Sequence, residues 1–530
     1  MIYLTQLKER IPYFLPIASA LTLVLTLPPF NLWPIVFVAL IPFYIFIFSE
    51  KQFSNIFFGG IFFGLIFSSY LSVATLSGFK WIPDAYLFST AINLLPIPIA
   101  IITSIITAFT WIYVFYLRKY TQNAFERSIL FVGTFAIVEW MFSKILFGFN
   151  YGSLAYAGGH LEIVRLAGSL GGVFLITFFI VFINASLAET LLYTTAKKPT
   201  RTILSLVPLC IVLITFGGLF LYQNILNKQF AKNTSSLSVA IIQNNARKES
   251  DTFGFVKNGQ FTFPLLEKQL REVVNTQVDV IIYPFSPWVG VLSDTINNDS
   301  FNKKVIAIDF NTFGKWLNVY IPKETVFVTW DTRLEDGKFI NVLDYWKNGV
   351  LIDSYKKRKL FPFLDYTPKW SQNIGLYTTP YDASAGESQS PIYVNNIAIS
   401  QLVCSEVIGS QVAKENVNSS DVIFSVGSEA MFEGSIASEV NLINAQLRAV
   451  ETRRPVIRAN KFGPSAIIDR YGNIVQKLKF NETGILYGKA TITKKQTDTL
   501  YKKVSEYPYI LILVLYMFIL RFRKRGLNKT

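Results

Sequence analysis

A single cysteine at the end of an apolar run is the first candidate for chemistry in this sequence. Cys404 closes the run in AISQLVCSEVIG (398–409), and a carboxylate, Glu406, follows it two residues later. A cysteine thiolate is a strong nucleophile, whereas a free cysteine at the end of a buried strand is also a common small packing residue. The local sequence leaves both interpretations open.

The composition restricts how Cys404 could be activated. The chain has one histidine, His160, and one other cysteine, Cys210, which sits inside an apolar segment. A Ser-His-Asp triad, a Cys-His dyad and a histidine-based zinc site therefore lack their usual parts. Two cysteines also cannot form a disulfide framework. If Cys404 is activated, a group other than histidine does it, and we expect neither a metal nor a cofactor.

The chain is too apolar to be one soluble globule. Hydrophobic residues make up 51% of its 530 residues, charged residues only 16%, and phenylalanine occurs 47 times. Apolar runs of about 17 to 25 residues are long enough to cross a bilayer as helices, and the second and eighth runs here are near the lower limit. We predict eight transmembrane helices, at residues 12–32, 34–49, 54–76, 87–117, 128–149, 166–193, 202–223 and 507–521.

The basic residues indicate how these helices are oriented. The formal charge of +15 does not predict a nucleic-acid partner, because the basic residues are scattered or flank apolar runs and form no zinc-finger or basic-zipper pattern. Lys and Arg concentrate in RKYTQNAFER (118–127), AKKPTR (196–201) and RFRKRGLNK (521–529). By the positive-inside rule, both termini are cytoplasmic and the segment after the seventh helix lies on the outer face of the membrane.

That segment has a different sequence pattern. Short β-branched runs such as VDVIIYP and DVIFSV alternate with stretches able to form helices, such as LINAQLRAVETR. The pattern predicts a layered α/β domain of about 260 residues, which is large enough to hold its own core. We therefore expect three parts: a bundle of seven helices at 1–227, an α/β domain at 237–495 and an eighth helix at 505–523.

Several fragments, in this order and spacing, resemble the apolipoprotein N-acyltransferase family. The motif DSYKKRKLFPFLDYTP (353–368), followed about 35 residues later by LVCSE, carries the resemblance. LPPFNLWPIVFVALIPF (27–43), VEWMFSKILFGFNYGSLAYAG (138–158) and LRAVETRRPVIRANKFGPSAIIDRYGNI (447–474) extend it over almost the whole chain. The resemblance implies a membrane helix bundle joined to a carbon-nitrogen hydrolase (nitrilase-like) domain, an α-β-β-α sandwich inserted between helices 7 and 8.

The resemblance also implies a reaction and its residues. In that family a cysteine thiolate takes an acyl chain from a phospholipid and passes it as an amide to the terminal amine of a diacylglyceryl lipoprotein. Cys404 matches the nucleophile, Lys357 the lysine that steadies the thiolate, Asp365 the place of a supporting glutamate, and Glu406 the glutamate two past the cysteine. The implied location is the bacterial inner membrane, with the hydrolase-like domain on the periplasmic face.

This chain departs from the family pattern at the usual general base. The family has a glutamate in Trp-Pro-Glu where this chain reads IIYPFSPW, so Phe285 occupies the position and cannot accept a proton. Ser405 replaces a tyrosine, Met431 replaces a tryptophan, and Asp365 is one methylene shorter than glutamate. Losing a positioned base typically costs about 10² to 10⁴ in rate. Either Glu406 or Asp365 takes over the proton, or the chain is a weak or inactive relative that binds lipoproteins or lipids without turnover.

Other functions remain as alternatives to the acyltransferase. An amidase acting on a small soluble amide would have no need of eight spans, and few intramembrane charges argue against a transporter. Glu139 is an ionisable residue deep in a predicted span, which is either a functional site or a helix-packing contact. We expect Arg448, Glu451 and Arg458 to form a structural ion-pair set.

Overall fold

A computed structural model describes most of the chain. The residues that it describes are 13–76, 96–145, 152–230, 234–245, 255–257, 260–262, 264–284, 290–292, 306–308, 310–335, 337–362, 364–373, 382–417, 419–429, 435–493 and 498–523. The predictions that concern Phe285 and Met431 lie outside the described residues.

Apolar sequence forms helices throughout the first part of the chain, and each predicted apolar run contains one. These helices are α1 (Phe14–Thr26), α2 (Ile41–Ser49), α3 (Phe53–Leu76), α4 (Pro96–Leu117), α5 (Ala124–Ile145), α6 (Ala155–Gly158), α7 (Glu162–Arg165), α8 (Gly168–Thr195), α9 (Pro199–Ser205) and α10 (Val207–Phe230), with 3₁₀ turns at Trp33–Phe37 and Arg118–Tyr120. The short spacing of Gly60 and Gly64 lets α3 and α4 approach closely, since a Cβ on Gly60 would lie 2.7 Å from the Cα of Ala108.

Helix length supports fewer membrane crossings than the sequence predicts. Four helical stretches among the described residues are long and apolar enough to cross a membrane: Phe53–Val73, Ile97–Tyr120, Gly168–Thr195 and Pro199–Phe230. Three further apolar stretches are shorter: Phe14–Thr26, Trp33–Ser49 and Tyr507–Phe522. The prediction of eight crossings therefore stays a prediction.

The second part of the chain alternates strands with helices, as the β-branched runs predict. Its strands are β1 (Thr234–Gln243), β2 (Phe255–Lys257), β3 (Gln260–Thr262), β4 (Val280–Tyr283), β5 (Gly290–Leu292), β6 (Ile306–Ile308), β7 (Val326–Glu335), β8 (Lys338–Lys347), β9 (Val350–Lys356), β10 (Ile392–Val394), β11 (Ile397–Val403), β12 (Val422–Ser428), β13 (Val456–Lys461), β14 (Ala466–Ile468), β15 (Ile474–Lys477) and β16 (Gly484–Thr493). Its helices are α11 (Pro264–Val273), α12 (Phe310–Tyr320), α13 (Lys369–Asn373), a 3₁₀ turn (Cys404–Ile408), α14 (Ser410–Asn416), α15 (Ala437–Thr452), α16 (Leu500–Val504) and α17 (Tyr507–Phe522).

Two sheets pack face to face to form a sandwich. The first sheet has the order β16-β1-β4-β7-β5-β6, with β8 and β9 continuing from β7, and the second has the order β10-β11-β12-β13-β14-β15. Apolar side chains from both sheets share one buried core, which includes Val239, Val328, Val403 and Phe424. Helices α11 and α12 cover the outer face of the first sheet, and α14 and α15 cover that of the second. This arrangement confirms the predicted α-β-β-α sandwich.

The sandwich packs directly against the helix bundle. Helix α15 turns Ala445 and Ala449 toward the second sheet, and it turns Ile443 and Leu447 into the apolar core of the bundle. Tyr471 follows β14 in the sandwich. The guanidinium of Arg165, at the end of α7 in the bundle, donates to the carbonyl oxygen of Tyr471 at 3.0 Å. One hydrophobic core and one buried cation therefore fix the sandwich relative to the bundle.

A break in α8 makes room for this contact. Gly172 has φ +69° and ψ −163°, a conformation open only to glycine, and a Cβ there would lie 2.6 Å from the ring of Tyr501 in α16. The next residue, Val173, donates its N–H to the buried carboxylate of Glu451 at 3.2 Å. The sharp bend thus brings a backbone donor of the bundle to a carboxylate of the sandwich.

Substituting Gly172→Ala should destabilise the protein, because alanine is strained in this conformation and its methyl group overlaps the Tyr501 ring. Strain and overpacking each cost about 1–3 kcal/mol. We expect the midpoint of thermal denaturation in detergent to fall by several degrees. Gly217→Ala is the matched control, since no atom lies within 4 Å of a Cβ at that position. Equal denaturation midpoints for the two variants would contradict this account of the bend.

Candidate active site

Cys404 occupies a sharp turn at the carboxyl end of a buried strand. Every residue of β11 is buried, and the chain turns into the 3₁₀ helix at Cys404, whose φ is +54°. A residue other than glycine or asparagine pays about 1–3 kcal/mol for this left-handed conformation, and such strained residues are enriched at active sites. Cys404 remains partly accessible. The turn therefore places the thiol at the end of the strand, where it packs against the edge of the shared core and stays partly accessible.

Glu406 holds this turn in place. Its buried carboxylate accepts the backbone N–H of Val403 at 2.8 Å, which fixes the residue just before the cysteine. It also accepts the backbone N–H groups of Arg358 at 2.8 Å and Lys359 at 2.9 Å, and the hydroxyl of Tyr355 at 3.1 Å. Burial raises the pKa of Glu406, and these backbone donors oppose that rise. The carboxylate ties the segment after β9 to the cysteine turn.

Lys357 and Asp365 form a buried ion pair in that same segment. The Nζ of Lys357 donates to the Oδ2 of Asp365 at 2.5 Å, and the lysine is only 1% exposed. Asp365 also accepts the side-chain amide of Asn341 at 2.7 Å and the backbone N–H of Phe361 at 2.6 Å. Burial lowers the pKa of Lys357, but the charge and hydrogen bond of Asp365, together with Cys404 and Glu406, outweigh burial and raise the lysine pKa. Lys357 is therefore a fixed cation.

The charges of these groups shift the pKa of the Cys404 thiol. Burial raises the pKa of the Cys404 thiol to about 11, the charge of Lys357 acts in the opposite direction, and the carboxylates of Asp365 and Glu429 add to the rise. The structure thus brings Cys404, Lys357 and Asp365 into one electrostatic unit and links Glu406 to it through the backbone. At neutral pH the resting thiol is protonated.

A cavity opens beside the cysteine. It offers about 20 Å³ of space and is partly open to solvent. Its lining combines several apolar and several polar residues: Phe361, Leu364, Cys404, Ser405, Ile408, Ser425, Val426, Gly427, Ser428, Glu429, Asn441, Arg458 and Asn460. A space of this size admits about one water-sized group, and the polar side chains in the lining can hydrogen-bond to it.

The sequence analysis missed Glu429 and assigned Arg458 to the wrong partner. The guanidinium of Arg458 pairs with Glu429 at 2.6 Å on the cavity wall, so the prediction that it joins Arg448 and Glu451 is wrong. Arg448 and Glu451 do pair with each other, at 2.8 Å and one turn apart within α15. The signal that could have identified Glu429 is its carboxylate directly after β12, because neighbouring parallel strands bring their carboxyl ends to one edge.

Glu139 has its own partners within the bundle. Its carboxylate accepts the hydroxyls of Ser153 at 2.6 Å and Thr177 at 2.8 Å. These contacts join α5, α8 and the segment before α6, which favours the helix-packing interpretation over a functional site. The predicted position of the general base, Phe285, lies outside the described residues.

Comparisons with known families match both parts of the chain. The family described as "Apolipoprotein N-acyltransferase N-terminal domain" matches residues 19–186, and "Carbon-nitrogen hydrolase" matches residues 302–497. The second match begins beyond Phe285. A carbon-nitrogen hydrolase superfamily protein from Xanthomonas campestris aligns with 52% of this chain and 97% of its own at 15% identity, with a TM-score of 0.35.

Curated relatives extend over nearly the full length. An apolipoprotein N-acyltransferase from Pasteurella multocida is 25% identical over 97% of this chain and 96% of its own length. The enzyme of that name from Photobacterium profundum is 24% identical over 83% of this chain and 80% of its own. Both family matches occur in the same chain, in the same order as the bundle and the sandwich. The chain belongs to the apolipoprotein N-acyltransferase family.

Proposed function

We propose that this chain transfers an acyl chain from a phospholipid to the terminal amine of a diacylglyceryl lipoprotein through a thioester on Cys404. The observation that carries the proposal is the strained turn at Cys404 beside the buried Lys357–Asp365 pair. Burying an ion pair is costly, and it brings no stability beyond that of an apolar replacement, so a functional reason for it is expected. The names of the relatives supply the substrate class.

The first half-reaction moves the acyl chain onto the enzyme. The sulfur of Cys404 attacks the ester carbonyl of the phospholipid, a carbon–sulfur bond forms, and the carbon–oxygen bond of the ester breaks. Lys357 stabilises the negative charge that develops on the sulfur and on the carbonyl oxygen. The proton that leaves the thiol ends on the departing alcohol oxygen, so the step releases a neutral lysophospholipid hydroxyl. The thioester then stays on Cys404 until an amine attacks it.

In this proposal Asp365 and Glu406 are positioning residues. All the donors that surround Asp365 hold it against Lys357, Asn341 and the backbone of Phe361. Glu406 binds backbone N–H groups on both sides of the site. These contacts already engage both carboxylates with donors that fix the backbone around the site. In this proposal neither carboxylate takes the proton of the thiol, and Phe285 stands at the usual base position.

The membrane topology belongs to the same proposal. We infer eight crossings, with the sandwich between the seventh and eighth, both termini cytoplasmic and the sandwich on the periplasmic side of a bacterial inner membrane. The basic segments 118–127, 196–201 and 521–529 support this orientation. Both substrates are amphiphiles that stay in the bilayer. A site next to a helix bundle is accessible to them from the membrane.

Removing the nucleophile should abolish the first half-reaction. In the absence of any acceptor, purified protein in phospholipid vesicles is expected to release about one lysophospholipid per active site. Cys404→Ala should release none, because no thioester can form, whereas Cys210→Ala should match the wild type. Mass spectrometry of the extracted lipids measures the release. A stoichiometric release by Cys404→Ala, or none by the wild type, would refute the proposed reaction.

The reactivity of Cys404 should rise with pH well above neutrality. Since the thiol pKa is raised to about 11, the thiolate fraction and the rate of alkylation by iodoacetamide should rise about tenfold per pH unit from pH 7 to pH 10. The Cys210→Ala background leaves Cys404 as the single thiol. Lys357→Met should lower the rate at pH 9 by about tenfold, because the cation that favours the thiolate is gone. A plateau near pH 8 in the parent would contradict this electrostatic picture.

Glu406→Gln tests whether Glu406 positions the site or takes the proton. A glutamine amide turns donors toward backbone N–H groups, so we expect lysophospholipid release to slow by about 10-fold to 100-fold. Its dependence on pH should keep the wild-type shape, since no proton acceptor is lost. Glu415→Gln is the control, because Glu415 is half-exposed and only weakly paired with Arg358 at 3.4 Å. Loss of the low-pH limb in Glu406→Gln would show that Glu406 is the base.

A further inference from the structure

The polar part of the cavity wall is built around Glu429. Its Oε1 accepts the guanidinium of Arg458 at 2.6 Å, the amide of Asn441 at 3.1 Å and the amide of Asn460 at 3.4 Å. Its Oε2 accepts only the amide of Asn441, at 3.2 Å. Glu429 is 4% exposed. Among the described contacts, Oε2 of Glu429 therefore has one donor and can accept further hydrogen bonds.

Two neighbouring amide oxygens also lack donors. A carboxylate only accepts hydrogen bonds, so the NH₂ groups of Asn441 and Asn460 must face Glu429 and their Oδ1 atoms must face elsewhere. Neither Oδ1 has a hydrogen-bond partner among the described residues, although Asn441 is 4% and Asn460 is 2% exposed. Buried carbonyl oxygens are nearly always paired. Both residues line the cavity, so an N–H donor of a ligand bound there would supply the missing hydrogen bonds to the two Oδ1 atoms.

This group of acceptors lies next to the nucleophile. A Cβ built on Gly427 would lie 3.3 Å from the Cα of Cys404 and 3.5 Å from the Oδ1 of Asn460. The unpaired oxygen and the cysteine backbone are therefore separated by little more than one methyl-sized position. The negative charge of Glu429 also reaches the thiol, whose pKa it raises. A ligand bound by these oxygens would sit within reach of a thioester on Cys404.

We propose that Glu429, Asn441 and Asn460 form a subsite for the primary ammonium group of the acyl acceptor. An ammonium has three N–H donors, and the subsite offers three under-used oxygens: Oε2 of Glu429 and the two amide Oδ1 atoms. Arg458 holds the carboxylate in place. This inference rests on the proposed function and gives it the residues that receive the second substrate.

The second half-reaction transfers the acyl chain from the sulfur of Cys404 to the nitrogen of the acceptor. The bound ammonium gives one proton to Glu429 and becomes a neutral amine. Its nitrogen attacks the thioester carbonyl, a carbon–nitrogen bond forms, and the carbon–sulfur bond breaks. The second proton lost by the nitrogen ends on the sulfur of Cys404, which restores the thiol, while Glu429 releases its proton to solvent. The product is the amide.

The two half-reactions, measured separately, test this assignment. The wild type, Asn441→Leu and Asn460→Leu are loaded with acyl chain in phosphatidylglycerol vesicles and then given a diacylglyceryl lipopeptide. We expect both variants to release lysophospholipid within about threefold of the wild type, and to transfer the chain at least about tenfold more slowly, since charge-assisted hydrogen bonds to the ammonium are lost. Asn444→Leu is the matched control. It is equally buried, one turn along α15, but does not line the cavity, and should keep the wild-type ratio of the two rates.

A measurement on the wild type covers the case in which the variants fail to fold. A deamino analogue of the lipopeptide should inhibit with a constant at least about tenfold above the KM of the amine acceptor, because it has no N–H donor to offer. Equal constants would overturn the subsite. Normal transfer by folded Asn441→Leu and Asn460→Leu would overturn it too and leave the proposed function standing.

The other source of a primary ammonium is the headgroup of the donor. Repeating the loading step in phosphatidylethanolamine vesicles separates the two. If the variants slow lysophospholipid release from phosphatidylethanolamine alone and leave transfer unchanged, the subsite binds the donor headgroup and the assignment to the acceptor is wrong. If the wild type releases no lysophospholipid from either lipid, the proposed function fails and the subsite fails with it.

Discussion

The geometry of the proposed active site depends on the buried carboxylate of Glu406. Cys404 adopts an unfavourable backbone conformation, and Glu406 stabilises the strand end beside it by accepting the N–H of Val403. The same carboxylate accepts backbone donors of Arg358 and Lys359, so it joins two segments that belong to different sheets. The cysteine turn and the lysine segment therefore cannot move independently. One residue therefore holds the turn at Cys404 and the segment that carries Lys357 together.

The charges around the thiol are arranged for a reaction rather than for a reactive resting state. Burial keeps the thiol protonated, with a pKa raised to about 11, while Lys357 is held as a cation by Asp365. Such a cysteine resists adventitious oxidation and alkylation, because the thiolate is the reactive form. The cation becomes useful when negative charge develops on sulfur or on a carbonyl oxygen. That requirement suits acyl transfer between two lipids that arrive in turn.

The sequence predicted the sandwich, but not the contacts that cross between distant elements. The family resemblance selected Lys357 and Asp365, eight residues apart in one motif, without predicting that they form an ion pair. Arg458 was grouped with Arg448 and Glu451 because they are close in the chain, but Arg458 starts from β13 and reaches Glu429 at the end of β12. Neither the shared strand edge nor the amide orientations around it can be read from residue spacing. The family motif also gave Glu406 a chemical role before its backbone contacts were known.

In the proposed reaction, Cys404 carries the acyl chain as a thioester while the protein is in the membrane. Protein purified from membranes that contain phospholipid but no lipoprotein acceptor should hold a fatty acyl group, and peptide mapping by mass spectrometry should locate it. We predict the added mass on the peptide that contains Cys404, and its loss on treatment with neutral hydroxylamine, which cleaves thioesters. An acyl group found on another residue, or a Cys404 peptide without added mass under these conditions, would contradict the account.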